Sequence, residues 1–402
     1  MLGRREFLGV SITGGIAASE GFATAQDAPV AKRKALKPVG PTTPSAKTIE
    51  PDARVNRVLE PILDRYKVPG LIGAYVLGQS LKAIGAVGVR KTGTTTPIRV
   101  TDRVHLGSCT KAMTATLLGM LVDEGKLSWG STIREIFPER AKSLHPDFHE
   151  VTLIQLLSHR AGLPPNGPWW MLGRGKSTTE QRKVLLSTML KSAPQSKPGS
   201  KYEYSNVGYA IAGLMGEQVT GKSWETLLRS RLFEPLEMES AGFGIPGKLG
   251  TIVEPWGHRD VSGHLEAVQE DNAPALGPAG TVHASIPDWA KFATLHLQAA
   301  RGKPRFLKAE TFHTLHTPQF GGDYAGGWAV AGRSWAGGTA LNHSGSNTTW
   351  YATVWIAPAR DLALLTATNQ GGDIAAKACD DAIGALIQLA GPTSGTRARR
   401  RG

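Results

Sequence analysis

Ser108 and Lys111 stand three residues apart in Ser108-Cys109-Thr110-Lys111, the only Ser-x-x-Lys in the chain. Positions i and i+3 share a helix face, so the amine would sit beside the hydroxyl. A serine hydroxyl is a poor nucleophile until a base takes its proton. A lysine can be that base only if burial or a cationic neighbour lowers its pKa. The same pair is also ordinary helix-start chemistry, an N-cap serine with a first-turn lysine, so other groups must decide. Tyr204-Ser205-Asn206 is the only Tyr-x-Asn, where a loop enters a helical segment. A phenol near a lysine can relay a proton or exist partly as phenolate. The Asn206 amide can hold the lysine or a substrate carbonyl. The bland alternative is a helix cap with an aromatic nearby. His343-Ser344-Gly345 comes third, just before a strand-like run at 349–357. Gly345 would let a substrate backbone approach a strand edge, with His343 facing the substrate. Another His-x-Gly, at His105-Leu106-Gly107, precedes Ser108, so order and context carry the weight.

The elements that must position these groups are legible in outline. Apolar runs at 71–78 and 81–90 flank Gln79-Ser80 and predict a hairpin. Runs at 349–357 and 361–368 predict a second, around Pro358-Ala359-Arg360. Between them the signal is mostly helical. Helices are expected at 108–124 (closed by Gly125), 152–158, 206–219, 224–233 and 287–300, with a last amphipathic one at 373–390. The fold class is α+β: a sheet built from both chain ends, with a helical region inserted between them. The folded domain spans 51–392, its α/β part at about 51–115 and 275–392 and its helical part at about 116–274.

The chain has 402 residues, 41% hydrophobic and 20% charged, a globular composition with ample length for a core. Two cysteines exclude a disulfide scaffold and a Cys-rich zinc site. Whether Cys109 meets Cys379 is not deducible from the sequence. Of the net charge of +13, residues 26–50 carry +3 and 393–402 carry +4. A nucleic-acid reader would concentrate charge on a folded face, so no nucleic-acid partner is expected.

Arg4-Arg5 begins a twin-arginine export pattern, followed by an apolar stretch and Ala23-Thr24-Ala25 before a cleavage point. The stretch is too short and glycine-rich to span a bilayer, and such signals are addresses rather than anchors. The reading is a signal peptide at 1–25, a Pro/Lys-rich linker at 26–50, a basic tail at 393–402, and an exported, periplasmic or extracellular protein without a stable membrane anchor.

Two tempting patterns are set aside. Gly216 to Ser223 satisfies the P-loop spacing, but a helix precedes it and Glu217 falls where phosphates would sit. Gly221 reads instead as a helix C-cap and Ser223 as the next N-cap. His145 and His149 are four apart, yet Pro146 lies between them and no acidic third ligand is evident.

With these motifs in order, the sequence resembles the penicillin-recognising serine hydrolases. It is most similar to the class C β-lactamase-like group, which includes D-peptidases and family VIII-type esterases. Leu156-Leu157-Ser158-His159-Arg160-Ala161-Gly162-Leu163-Pro164, Pro198-Gly199, Pro278-Ala279-Gly280 and Thr368-Asn369-Gln370-Gly371 extend the likeness over about 51–392. The resemblance implies a β-lactamase/transpeptidase-like fold, an antiparallel sheet with flanking helices. It implies Ser108 as the acylated nucleophile, Lys111 and Tyr204 as the coupled base, and Asn206 as the supporting amide. His343 and Gly345 would be the strand motif, and the Ser108 and Ser346 N–H groups the oxyanion hole. Asn166 falls near a position that touches the substrate amide.

No metal or cofactor is implied. The substrate would be a small molecule or peptide, with peptidoglycan fragments among the candidates. His343 replaces the lysine usual in class C β-lactamases, and the Gly often found after the motif is absent. The histidine is more like the D-peptidases of the group and favours a peptidase or esterase over a β-lactamase, whereas the missing glycine leaves loop shape, and hence substrate, open. A β-lactamase and a penicillin or peptidoglycan sensor that acylates without turnover are the alternatives.

Overall fold

The computed structural model describes residues 49–173 and 175–391. The signal peptide expected at 1–25, the linker up to residue 48 and the tail at 393–402 lie outside the described residues. The described strands are β1 (Gly70–Leu77), β2 (Ser80–Gly88), β3 (Arg103–His105), β4 (Gly242–Phe243), β5 (Gly257–Val261) and β6 (His264–Val268), then β7 (Val282–Ser285), β8 (Ala329–Arg333), β9 (Gly338–Ser346), β10 (Tyr351–Ala357) and β11 (Leu362–Thr368). Six of them form one antiparallel sheet in the order β2-β1-β11-β10-β9-β8. The pairing of β1 with β11, from Leu71 opposite Thr368 to Leu77 opposite Leu362, joins the two chain ends inside the sheet.

Side chains alternate across these strands, and both faces find a core. Leu71, Tyr75, Leu362 and Leu364 enter one cluster; Ile72, Ala74, Val76, Ala363 and Leu365 enter the other. Because both faces are covered, the central strands read as unbroken apolar runs rather than as polar–apolar alternation. Helix α1 (Ala53–Tyr66) and the Asp373–Ala390 helix cover one face, and the Ile286–Ala300 helix the other. Helix α2 (Thr110–Asp123) is buried on all sides from Thr110 to Leu121, which makes it the central rod of the molecule.

Two expectations are corrected. Ser108 lies in a 3₁₀ turn, Gly107–Cys109, that runs into α2, rather than in the helix itself. Side chains at i and i+3 nearly eclipse in a 3₁₀ turn, so the Ser108–Lys111 geometry survives. The His343-Ser344-Gly345 motif lies inside β9, in keeping with the strand motif that the resemblance implies. Glycine, asparagine and serine give β9 little intrinsic strand preference, and pairing with β10 and β8 supplies it. The inserted helical region also carries β4, β5 and β6.

Gly216 to Gly221 belongs to the end of the Asn206–Thr220 helix, closed by Gly221 at φ 67°. Glu217 is buried there in an ion pair with Arg182, so this segment forms no phosphate cradle.

Candidate active site

β8 pairs with β9 only at Gly338–Asn342, leaving the edge from His343 to Ser346 free of a sheet neighbour on that side. The turn that carries Ser108 closes onto this stretch. A Cβ added to Gly345 would lie 2.2 Å from Leu106 O and 2.5 Å from Ser108 N, and one on Gly107 would lie 2.4 Å from Ser346 N. Gly345 is therefore needed for the turn of this same chain to approach the strand, a different reason from the expected approach of substrate backbone. Gly107 adds a second requirement, since its φ is +49°. The Ser108 and Ser346 amides consequently flank one seam.

The Lys111 side chain runs from α2 beneath the site and is itself fully buried, at 0% exposure. Its Nζ lies 2.7 Å from Asn206 Oδ1, 2.8 Å from Ala279 O and 3.1 Å from Ser108 Oγ. The first two oxygens only accept, so the amine gives each an N–H. Burial drives the Lys111 pKa well below the ordinary lysine value. Its Nζ also stands within hydrogen-bond reach of Ser108 Oγ, which places the amine to exchange a proton with that hydroxyl. Tyr204 donates its O–H to Ser108 Oγ at 2.7 Å. Burial pushes the Tyr204 phenol up, so it rests as phenol and not as the partial phenolate weighed from the sequence.

Helix-start chemistry sets Tyr204 and Asn206 in place. Ser205 caps the Asn206–Thr220 helix by accepting from the Gly208 N–H, and its own hydroxyl donates to Pro164 O. The Ser205 N–H donates to His159 Nδ1 at 3.0 Å. The His159 ring packs on Tyr204 with centroids 4.4 Å apart. Asn206 Nδ2 donates to Asn166 Oδ1 at 2.9 Å, which brings the expected Asn166 into the site.

His343 does not stand open toward a substrate as expected. It is 5% exposed, and Tyr324 covers it. Its Nδ1 lies 2.8 Å from Ser344 O, an acceptor, so Nδ1 carries the proton. Nε2 then accepts from the Tyr324 O–H at 3.0 Å. Burial first, and then the charge of Lys111, lower its pKa to about 3. Cys109 packs as a small apolar group, its Sγ 3.4 Å from His343 O, and burial pushes its thiol up. Both cysteines are free.

Motif reading missed Tyr324, His159 as a clamp, and the Ala279 carbonyl as a lysine acceptor. His159 and Ala279 lay within segments that carried the resemblance, but no spacing rule assigned them a role. Tyr324 sits in the glycine-rich stretch 321–327, which has no periodicity to read.

The chain matches the Beta-lactamase family over residues 55–388. It is 28% identical over 328 residues to Penicillin-binding protein 4 of Amycolatopsis lactamdurans, covering 76% of this chain and 82% of that one. It is 27% identical over 279 residues to the Unguisins hydrolase ungD' of Aspergillus campestris, covering 65% of this chain. The chain spans about half of that hydrolase's length, 51%. The fold resembles the octameric penicillin-binding protein homologue from Pyrococcus abyssi, with a TM-score of 0.70 at 23% identity over 85% of this chain and 77% of that one. It also resembles SurE, with a TM-score of 0.69 at 23% identity over 84% and 76%. The family match runs from α1 into the final helix and includes every residue of the constellation, and the chain belongs to the Beta-lactamase family.

Proposed function

We propose that this protein is a serine hydrolase that cleaves ester or amide carbonyls through a covalent acyl-enzyme on Ser108. The observation that carries the proposal is the buried Lys111 amine, held by Asn206 Oδ1 and Ala279 O with its Nζ 3.1 Å from Ser108 Oγ. Ser108 Oγ attacks the carbonyl carbon as its proton passes to Lys111 Nζ. The oxyanion accepts from the Ser108 and Ser346 N–H groups, a term worth about 3–4 kcal/mol per donor in comparable sites. The C–O or C–N bond breaks, and the leaving group takes the proton from Lys111 by way of the Tyr204 hydroxyl. Water then attacks the acyl-enzyme with the same groups as base. The acid leaves, and Ser108 regains its proton.

A peptidase or esterase is favoured over a β-lactamase. A β-lactam carboxylate calls for a cation on the strand, and β9 offers a neutral, covered imidazole. The hydrolase and penicillin-binding names of the relatives agree with acyl transfer. The twin-arginine pattern supports action outside the cytoplasm, on a small-molecule or peptide substrate.

A turnover panel of p-nitrophenyl esters, D-amino-acid peptides and nitrocefin tests this. Steady hydrolysis of an ester or peptide, faster than of nitrocefin, is expected. Acylation without turnover on every substrate would favour a sensor, and preferred nitrocefin hydrolysis a β-lactamase.

A further inference from the structure

The loop after Asn166 carries two side chains that the reaction above leaves unused. Trp170 is 72% and Met171 68% exposed. Their neighbours are held: Trp169 packs against the core, and a Cβ added to Gly167 would lie 2.7 Å from a Leu185 methyl. The loop is therefore pinned before it turns Trp170 and Met171 outward. Its start is tied to the site, because Asn166 accepts from Asn206 Nδ2 and Pro165 O accepts the Asn206 N–H, both at 2.9 Å. Trp170 lies four positions beyond Asn166, a span of at most about 14 Å. Asn166 is joined through Asn206 and Lys111 to Ser108, so the loop leaves directly from the network that holds the reacting hydroxyl. Adjacent exposed tryptophan and methionine are costly in water, and both side chains suit an apolar guest, one broad and rigid and the other adaptable.

The polar groups of the site point the same way. The Lys111 N–H groups are spent on Asn206 and Ala279, and the His343 lone pair accepts from Tyr324. Neither is left to pair with a substrate carboxylate.

Resting on the serine-hydrolase reading above, we propose that the site takes uncharged acyl donors bearing a large apolar group beside the reacting carbonyl, and that Trp170 and Met171 receive that group. Free-acid peptides and short acyl chains are the poorer substrates. Trp170 and Met171 determine specificity and take no part in bond making.

The test compares kcat/KM for p-nitrophenyl acetate, butyrate and octanoate in the wild type, Trp170→Ala, Met171→Ala and Trp170→Phe. In the wild type the octanoate-to-acetate ratio exceeds one. It falls about tenfold in Trp170→Ala, is lowered in Met171→Ala, and recovers in Trp170→Phe, as expected for a few methylenes returned to water. A second arm compares an N-acyl dipeptide carrying a free carboxylate with its methyl ester, and the ester is cleaved faster. A ratio unmoved by Trp170→Ala and Met171→Ala, or a preference for the free carboxylate, overturns the assignment. Ser108→Ala keeps the two readings apart. Turnover surviving in that variant sinks the reaction itself, whereas an inactive Ser108→Ala beside a ratio insensitive to both loop variants sinks only the acyl-group assignment.

Discussion

Lys111 Nζ and Asn206 Oδ1 lie 2.7 Å apart, and this contact joins α2 to the Asn206–Thr220 helix beside the Ser108 hydroxyl. Because an amide oxygen carries no formal charge, it can orient a buried amine without drawing a proton onto it. A carboxylate in the same place would do the opposite, since an opposite charge at contact favours the ammonium.

Asn206→Asp should therefore disarm the base while nearly preserving shape. Expected is a fall of about 10²-fold in kcat/KM at neutral pH, with the acid limb of the pH profile moved upward. Rates across pH check this, and an unshifted limb in the Asp variant would contradict a neutral Lys111.

On the proposed mechanism, the reactive form of the wild type is the unprotonated Lys111 amine. Activity should be lost as pH falls through the Lys111 pKa and be complete above it. That pKa is held below the ordinary value by burial, so the plateau is reached well under pH 10.5. His343, held near 3, should contribute no limb between pH 5 and 8, and neither should the buried His159. A pH profile that still climbs through pH 10 would show an ordinary, charged lysine at rest.

Gly345→Ala places a methyl against the backbone of the Ser108 turn, where only main-chain atoms could yield. Expected is a loss of about 10²-fold or more in kcat, with a destabilisation of about 1–3 kcal/mol. Kinetics with urea denaturation measure both. Wild-type kcat in this variant would show that the seam between the Ser108 and Ser346 amides is not needed.

Arg182 holds Glu217 and Glu225 together where the P-loop-like spacing occurs. Its side chain is fully buried, and burial pushes the Glu217 carboxyl up despite the guanidinium. Arg182→Met leaves the carboxylates without their cation and should cost about 3–5 kcal/mol in urea denaturation. A cost under about 1 kcal/mol would mean that the carboxylates protonate or rehydrate easily.

How much of this was legible follows from where the information lies in the chain. Ser108 and Lys111 are local, so spacing alone places them together. Tyr204 and Asn206 announce themselves as a cap at a helix start. The outer hairpin strands are rich enough in apolar residues to be read in a single pass. β9 is not, because its strand character is lent by β10 and β8. The cover of Tyr324 over His343 joins two segments that no periodicity links. The same contact makes His343 a buried acceptor, although its residue type alone suggested a group facing substrate. At Gly345 the residue type points to the right property, close approach, but the partner is the chain's own Leu106–Cys109 backbone.

The central claim is that Ser108 is the atom acylated. Intact mass spectrometry after a fluorophosphonate probe tests it most directly. Wild type should gain one probe mass, mapped by peptide digestion to Ser108, and Ser108→Ala should gain none. An equal mass shift in Ser108→Ala would place the nucleophile elsewhere and contradict the account.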